Sequence, residues 1–428
     1  PYSKTFYLVD RGRQDGVAYA FGKAFETWLN KNQPFADKAQ RWQVMFLPTA
    51  RNELLPKLLA GEGDLAAGGL TITEGRQQTV DFSDPGASEI NEVIVSAPGS
   101  VKIQRLEDLA GREVYVRASS SYFEHLVALN ERFKAQGLAP VKIMPANENL
   151  ETEDLLQMVN AGLYGMTVAD QHIAQLWQSL YTDMQIQAGV YLHQGGKLSW
   201  ALRKSSPQFQ QVLSAFVKEH KIGSEFGNIT LRRFKNNQRV LNATSQAEMQ
   251  KFKALVGVFQ KHAGTYDFDH LMLMAQGFQE SQLDQRARSR AGAVGVMQLL
   301  PSTAADPAVG IKGIDTSVDK NIEAGSKYMR LLADKYLDDP ELTPVNRTLM
   351  SFAAYNAGPG NLMKFRRLAE KSGLDPNVWF GNVEQAAARI VGRETVDYVG
   401  NIYKYYVVYK LAEQKLRERA KASQQPGS

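Results

Sequence analysis

The sequence predicts a chain of two parts, an α/β domain followed by an all-α domain. From Tyr2 to about His220, short apolar runs alternate with helical patterns, which is typical of an α/β domain. After residue 245 almost every segment has helical periodicity, and at most one short hairpin is expected there. The length of 428 residues agrees with two or three domains of ordinary size.

The first part reads as strands separated by helices. An apolar run at residues 6–9 predicts a buried strand, and Val17, Phe21 and Trp28 fall on one face of the helix that follows. A second apolar run covers residues 44–47, and leucines at 54–59 predict a helix that Gly61 ends. Later strands are predicted at residues 92–97, 113–117, 141–144 and 164–168. Because helices separate these strands, we expect largely parallel sheets.

The second part is predicted to begin after a linker. Residues 221–245 have weak periodicity and contain Gly223 and Gly227, so we assign residues 1–220 to the first domain, 221–245 to the linker and 246–428 to the second domain. Helices are predicted at residues 246–262, 267–281, 319–335, 344–356 and 393–417.

Composition excludes several classes of function. The chain has no cysteine, its six histidines are scattered, and it contains neither an H-E-x-x-H motif nor a Walker-type glycine loop, so we expect no metal and no cofactor. The net charge of +5 is mild and lacks the dense basic stripe of a nucleic-acid binder, although it would favour an acidic polymer. No run approaches the ~20 apolar residues that span a bilayer. The chain begins Pro-Tyr-Ser, so any targeting segment is expected to lie upstream.

One glutamate stands at the end of an apolar helical pattern. Glu280 follows Leu271, Leu273, Met274 and Phe278, and partial burial there would raise its pKa and keep it protonated near neutral pH, as a general acid requires. A loop of small residues at 291–295 would let a polymer approach the backbone. A single such glutamate is more often a capped or solvated residue, and the case for function depends on its context.

Four motifs supply that context. They are Glu280-Ser281, then Gly295-x-Met297-Gln298-x-x-Pro301-x-Thr303-Ala304, then Ala354-Tyr355-Asn356-Ala357-Gly358, then Glu394-Thr395-x-x-Tyr398-Val399. In this order and spacing they resemble the soluble-type (family 1) lytic transglycosylases over residues 268–411. The resemblance implies a lysozyme-like helical domain of the goose type, which agrees with the helical periodicity.

The resemblance also implies roles for individual residues. Glu280 would be the only catalytic carboxylate, and Ser289 and Gln298 would hydrogen-bond the sugar or its N-acetyl group. Tyr355 would face the reacting centre, and Asn356 would brace its loop. The remaining residues expected to line or support the cleft are Met297, Glu394 and Tyr398. Ser281 is open to a purely structural interpretation.

The number of carboxylates predicts the mechanism. Ordinary glycosidases use two, whereas Asp284 and Asp306 are better interpreted as surface or capping residues. With Glu280 alone, the resemblance implies cleavage of the glycan strands of peptidoglycan with help from the substrate's acetamido group, leaving 1,6-anhydromuramoyl ends. Two alternatives stay open: a hydrolytic, lysozyme-like muramidase, and a solute receptor with an inactive helical domain.

The first part carries a different motif. The run from Gly63 to Pro85, G-D-x₆-T-x-T-x-x-R-x₃-V-D-F-S-x-P, resembles bacterial extracellular solute-binding proteins of the amino-acid type, over about residues 6–218. The resemblance implies a two-lobed, periplasmic-binding-protein-like fold with its second lobe at about residues 98–190. The residues implied to bind a ligand are Thr71, Thr73, Arg76, Ser119, Ser121 and Asp170.

Arg76 would hold a ligand carboxylate, because a guanidinium matches a carboxylate with two parallel hydrogen bonds, and Asp170 would hold an amino group. The alternative is a vestigial domain in which Arg76 pairs with Asp81 or Glu74. The order of the two domains resembles that of the membrane-bound lytic murein transglycosylase F family. It implies a periplasmic protein tethered to the outer membrane by an upstream anchor, and a muropeptide, stem peptide or amino acid as a regulatory ligand.

Overall fold

The chain divides into two compact units in a computed structural model. One unit comprises residues 1–8 and 14–240, and the other comprises residues 9–13 and 241–428. The structure describes residues 7–10, 13–37, 40–178, 181–221, 224–227 and 246–424. The predicted linker at 221–245 lies mostly outside these residues, so its boundaries stay a prediction.

The first unit is built on a sheet of seven strands, and a separate pair is formed by β1 (Leu8–Asp10) and β2 (Arg13–Asp15). The strands of the sheet are β3 (Leu65–Thr71), β4 (Val80–Phe82), β5 (Ala87–Ser96), β6 (Glu113–Val116), β7 (Lys142–Pro145), β8 (Met166–Asp170) and β9 (Gln185–Arg203). Their order is β3-β9-β5-β8-β6-β7, and β4 also pairs with β9.

The expectation of a largely parallel sheet is wrong. Strand β9 pairs antiparallel with β3, β4 and β5, and β5 pairs antiparallel with β8. Among the described pairings of this sheet, those of β6 with β7 and with β8 are the parallel ones. The sheet is therefore mixed, because the two long strands β5 and β9 run antiparallel to the strands beside them.

Helices pack on this sheet, and the elements of the unit group into two lobes, each with its own core. They are α1 (Val17–Asn32), α2 (Leu54–Leu59), α3 (Glu74–Thr79), α4 (Ser121–Ala135), α5 (Thr152–Asn160), α6 (Gln171–Gln178) and α7 (Pro207–His220). We call lobe one the part with α1–α3, α7, β3 and β4, and lobe two the part with α4–α6 and β6–β8. Lobe one buries Phe25 and Phe216 among other residues, and lobe two buries Leu126 and Phe133. Residues 44–47 form no regular element, and Met45 is 83% exposed.

The second unit is helical, as predicted. Its helices are α8 (Gln246–Tyr266), α9 (His270–Ser281), α10 (Pro301–Ala305), α11 (Val318–Tyr336), α12 (Pro344–Ala357), α13 (Pro359–Lys371), α14 (Glu384–Val391) and α15 (Arg393–Gln424), and a kinked turn covers Trp379–Val383. Helix α9 packs against α8 and against the long α15. Within residues 246–424 the only β pairing described is two isolated bridges, Arg288 with Val294 and Val294 with Leu299.

Two further observations concern the described residues. None of their helices combines the length and apolar character that crossing a membrane requires. No group of three or more histidine, aspartate and glutamate side chains among them is arranged to hold a metal ion.

Candidate active site and ligand cavity

Helix α9 carries Glu280 to the edge of a packed core. The N-cap residue of the helix is Asp269, whose carboxylate accepts hydrogen bonds from the backbone N–H groups of Leu271 and Met272. Residues Leu271 to Phe278 are buried, whereas Glu280 is partly exposed in the last turn. The hydroxyl of Ser281 donates to the backbone carbonyls of Gly277 and Val296, so Ser281 stabilises the loop after the helix. The sequence placed this carboxyl correctly at the boundary of core and surface.

The carboxyl of Glu280 is held by a tyrosine. The hydroxyl of Tyr398, on α15, donates to Glu280 Oε1 at 2.5 Å, and Gln276 Nε2 donates to the same hydroxyl at 3.3 Å. Burial raises the pKa of Glu280 to about 7, and the hydrogen bond from Tyr398 opposes that rise. A carboxyl with such a pKa is protonated in a large fraction of molecules at neutral pH, and can both give and take a proton there.

The sequence analysis did not identify Gln276 as a residue of this site. It is fully buried, and its Oε1 atom has no hydrogen-bond partner among the residues that the structure describes. A signal was present, because Gln276 precedes Glu280 by four residues and therefore shares its face of α9. A buried polar side chain on the face of a candidate catalytic residue is a reason to expect such a contact.

Tyr355 lies close enough to Glu280 to be affected by its charge. Burial and the Glu280 carboxylate raise the pKa of Tyr355 well above its ordinary value, so this phenol stays neutral. Its hydroxyl donates to the backbone carbonyl of Met297 at 2.8 Å. The side chain of Met297 has no exposed surface. Met297 was expected to line or support the cleft; its side chain packs in the core, and its backbone carbonyl positions Tyr355.

A buried asparagine fixes the loop that carries Met297. The Nδ2 of Asn321 donates to the carbonyls of Val294 and Ile314, and its Oδ1 accepts from the Met297 N–H at 2.8 Å. A Cβ atom at Gly295 would come within 2.3 Å of Asn321, and Gly295 has a φ of +77°. Glycine is required there, because a side chain would displace the amide that holds three backbone groups. The sequence analysis did not single out Asn321, and this role follows from the structure alone.

The other predicted cleft residues lie at or near the surface. Ser289 is exposed, and its hydroxyl accepts from the Ala293 N–H. Gln298 donates to the carbonyl of Gly295 from a left-handed backbone conformation with φ of 46°. Asn356 accepts from the Thr395 hydroxyl at 2.7 Å, which ties the α12 motif to the α15 motif. Glu394 is exposed in the first turn of α15.

The two other carboxylates considered from the sequence have structural surroundings. Hydrogen bonds from Arg286 hold the pKa of Asp284 below its ordinary value, so Asp284 is an ion-paired carboxylate. Asp306 is exposed after α10 and accepts from the Ala308 N–H. Both observations agree with the interpretation of these residues as surface or capping groups.

The first unit contains a cavity of about 850 Å³ bordered by both lobes. Five of the six predicted ligand residues line it, namely Thr71, Arg76, Ser119, Ser121 and Asp170. The sixth, Thr73, caps α3 by accepting from the Arg76 N–H, and its hydroxyl donates to Glu124. The hydrogen bonds of Thr73 are thus made within the protein.

At the Asp170 end of the cavity, two carboxylates stand side by side. Asp170 and Glu92 are directly opposite each other on β8 and β5. Burial and the neighbouring Glu92 raise the pKa of Asp170 to about 7, although the Tyr122 hydroxyl hydrogen-bonds to it at 3.2 Å. A cationic group bound here would favour the charged form of Asp170, which suits the predicted contact with a ligand amino group.

Two family models match the chain in succession. Residues 5–236, more than half of the chain, match bacterial extracellular solute-binding proteins, family 3, and residues 257–376 match the transglycosylase SLT domain. Among solved structures, an ancestral arginine-binding protein bound to arginine is 23% identical, with a TM-score of 0.42, over 54% of this chain and 92% of that one.

Two relatives extend the similarity along nearly the whole chain. The membrane-bound lytic murein transglycosylase F of Desulfosudis oleivorans is 28% identical over 94% of this chain and 87% of its own length. A protein of the same name from Alkalilimnicola ehrlichii, numbered F 1, is also 28% identical, over 99% of this chain and 84% of its own. With a family 3 solute-binding domain followed by a transglycosylase SLT domain, the chain belongs to the membrane-bound lytic murein transglycosylase F family.

Proposed function

We propose that this peptidoglycan lytic transglycosylase cleaves the β-1,4 bond between N-acetylmuramic acid and N-acetylglucosamine, with Glu280 as its only catalytic carboxylate. The observation that carries the proposal is the environment of Glu280. Its pKa is raised to about 7, Tyr398 donates to it, and the nearby Asp284 is already paired with Arg286. One carboxyl that can give and then take a proton fits a reaction without a second carboxylate.

The proposed reaction has two steps. In the first, protonated Glu280 donates its proton to the glycosidic oxygen, the C1–O bond breaks, and the oxygen of the muramic acetamido group attacks C1. In the second, the Glu280 carboxylate removes the proton from the muramic C6 hydroxyl, whose oxygen attacks C1 and displaces the acetamido oxygen. The product is a 1,6-anhydromuramoyl end, and water is not consumed.

Tyr398 is well placed to assist both steps. Its hydrogen bond to Oε1 stabilises the carboxylate formed after the first proton transfer and fixes the rotamer of Glu280. The other oxygen is then left to exchange the proton with substrate. Tyr355, kept neutral by burial, would face the same centre, and Ser289, Gln298, Asn356 and Glu394 would bind or border the glycan.

Mass spectrometry of the products from purified sacculi tests this function. Anhydro-ended muropeptides should dominate from the start of digestion, because an intramolecular hydroxyl replaces water as the nucleophile. A spectrum made mainly of reducing ends would support the alternative of a hydrolytic muramidase. A complete lack of cleavage would support the alternative of a receptor with an inactive helical domain.

The first unit is proposed to sense the substrate's environment. It matches bacterial extracellular solute-binding proteins, and its cavity presents Arg76 for a carboxylate and Asp170 for an amine. Stem peptides, muropeptides and free amino acids carry both groups. The names of the relatives support a periplasmic, membrane-associated location, and we propose that the protein is tethered to the outer membrane.

Ligand binding is expected to change the rate of glycan cleavage. Two-lobed binding domains close around ligands, and in sequence α7 is followed by the predicted linker at 221–245 and then by the second unit. A ligand that binds the closed arrangement of the two lobes more tightly than the open one would increase the population of the closed arrangement. The measurement compares turnover of the full chain, with and without ligand, against a fragment that starts near Gln246. Equal rates in all three would show that the first unit only targets the enzyme.

A further inference from the structure

A carboxylate of the protein itself is bound to Arg76. Glu124 lies on α4 in lobe two, and its Oε1 is 2.8 Å from Nε of Arg76, which lies on α3 in lobe one. Its Oε2 accepts from the hydroxyl of Thr73 at 2.5 Å. Arg76 was predicted to hold a ligand carboxylate and Thr73 to bind the ligand, and both contact Glu124 instead.

The remaining contacts of Arg76 leave little room for a second carboxylate on the same edge. Nη1 donates to the carbonyl of Thr71 and Nη2 donates to the carbonyl of Ser119. A carboxylate bound by two parallel hydrogen bonds needs a pair of N–H groups on one edge of the guanidinium. The edge that contains Nε is engaged by Glu124, so a ligand must displace Glu124 to bind there.

Differences in exposure make such a displacement feasible. The side chain of Arg76 is 9% exposed, whereas that of Glu124 is 32% exposed. Glu124 can therefore turn towards solvent and keep much of its hydration, while Arg76 stays in the wall of the cavity. An ion pair with one partly exposed member is held more weakly than a fully buried pair, whose separation leaves a charge without compensation.

We propose that Glu124 is an internal competitor for Arg76 and thereby sets the ligand selectivity of the cavity. This inference rests on the proposed ligand-binding function of the first unit. A ligand's carboxylate gains Arg76 only by releasing Glu124, while its amino group meets Asp170 without that competition. The cavity then distinguishes an amino acid from the corresponding amine less strongly than Arg76 alone would allow.

The test uses the full chain with Glu124→Gln and Glu124→Ala, and Glu131→Gln as a control on an exposed position of the same helix. Calorimetry would measure binding of the twenty amino acids and of peptidoglycan stem peptides, and of their decarboxylated or amidated counterparts. If Glu124 occupies Arg76 in about nine molecules of ten, its removal raises affinity for the free acids about tenfold. Amines and amides should not gain, because they do not compete with Glu124.

The outcomes separate this inference from the function on which it rests. An equal change for acids and amines, or no gain over Glu131→Gln, overturns the role of Glu124. If binding is lost in Arg76→Ala but does not rise in Glu124→Gln, the proposed competition by Glu124 is wrong and the ligand-binding function stands. If no variant binds any probe, the competitor and the ligand-binding function both fail, because freeing Arg76 should reveal even weak binding.

Discussion

Replacing Glu280 by glutamine is expected to reduce glycan cleavage by at least about a thousandfold, because general acid–base catalysis contributes ~10²–10⁴ and this carboxyl serves in both proton transfers. Glutamine keeps the shape of the side chain and can accept the hydrogen bond from Tyr398. It cannot donate a proton to the leaving oxygen or remove one from the C6 hydroxyl. The release of muropeptides from sacculi measures the loss, and a binding assay with glycan strands should be unchanged.

Asp284→Asn is the matched control for this variant. It removes a carboxylate four residues away that is paired with Arg286 and lies outside the proposed mechanism. We expect turnover near that of the unaltered protein. If Glu280→Gln kept more than about a tenth of its activity, the assignment of Glu280 would be wrong, because a loss that small is below the range of acid–base catalysis. If Asp284→Asn were as inactive as Glu280→Gln, a two-carboxylate mechanism would be required.

Removing the side chain of Arg76 is expected to abolish binding of carboxylate ligands to the first unit. Truncating one partner of a buried, hydrogen-bonded charge pair costs about 2–5 kcal/mol, which is roughly 30-fold to several-thousand-fold in affinity. Calorimetry with amino acids and stem peptides would detect the loss in Arg76→Ala. Arg76→Lys should recover only part of the affinity, because an ammonium cannot form two parallel hydrogen bonds to a carboxylate.

Arg132→Ala is the control for charge, because Arg132 is an exposed cation on α4. It should bind ligands as the unaltered protein does. Circular dichroism should accompany each variant, since Arg76 also donates to the backbone of both lobes. Equal affinity of Arg76→Ala and the unaltered protein would contradict the carboxylate site. Failure of the unaltered protein to bind any of these ligands would support a vestigial domain.

The helical unit was predictable because its signals are local. Asp269 as an N-cap and the run of apolar residues after it define α9, and the periodicity places Glu280 at its end. Its partner was predictable only through a motif. Tyr398 is 118 residues away from Glu280 in the sequence, and no local pattern predicts that so distant a helix packs on α9.

The topology of the sheet and the ion pair of Arg76 with Glu124 were less predictable, because both depend on contacts between distant parts of the sequence. Strand β9 contains Gly189, Gly195 and Gly196, and its register against β5 shifts several times, so no alternation of apolar residues marks it. The sequence suggested Glu74 or Asp81 as an internal partner of Arg76, and the actual partner is Glu124. That choice depends on how two lobes approach each other, which neighbouring residues do not encode.

The contact between Tyr398 and Glu280 has a consequence for when the enzyme becomes active. The carboxyl lies near the start of the helical unit, and the phenol lies on its last helix, beyond the segment that matches the SLT domain. During synthesis the acid is therefore made long before the group that orients it. A chain that stops before Arg393 contains Glu280 but lacks the hydroxyl that holds Oε1. Glu280 is therefore correctly oriented only after α15 has been synthesised, and a chain without α15 has a catalytic acid that Tyr398 does not orient.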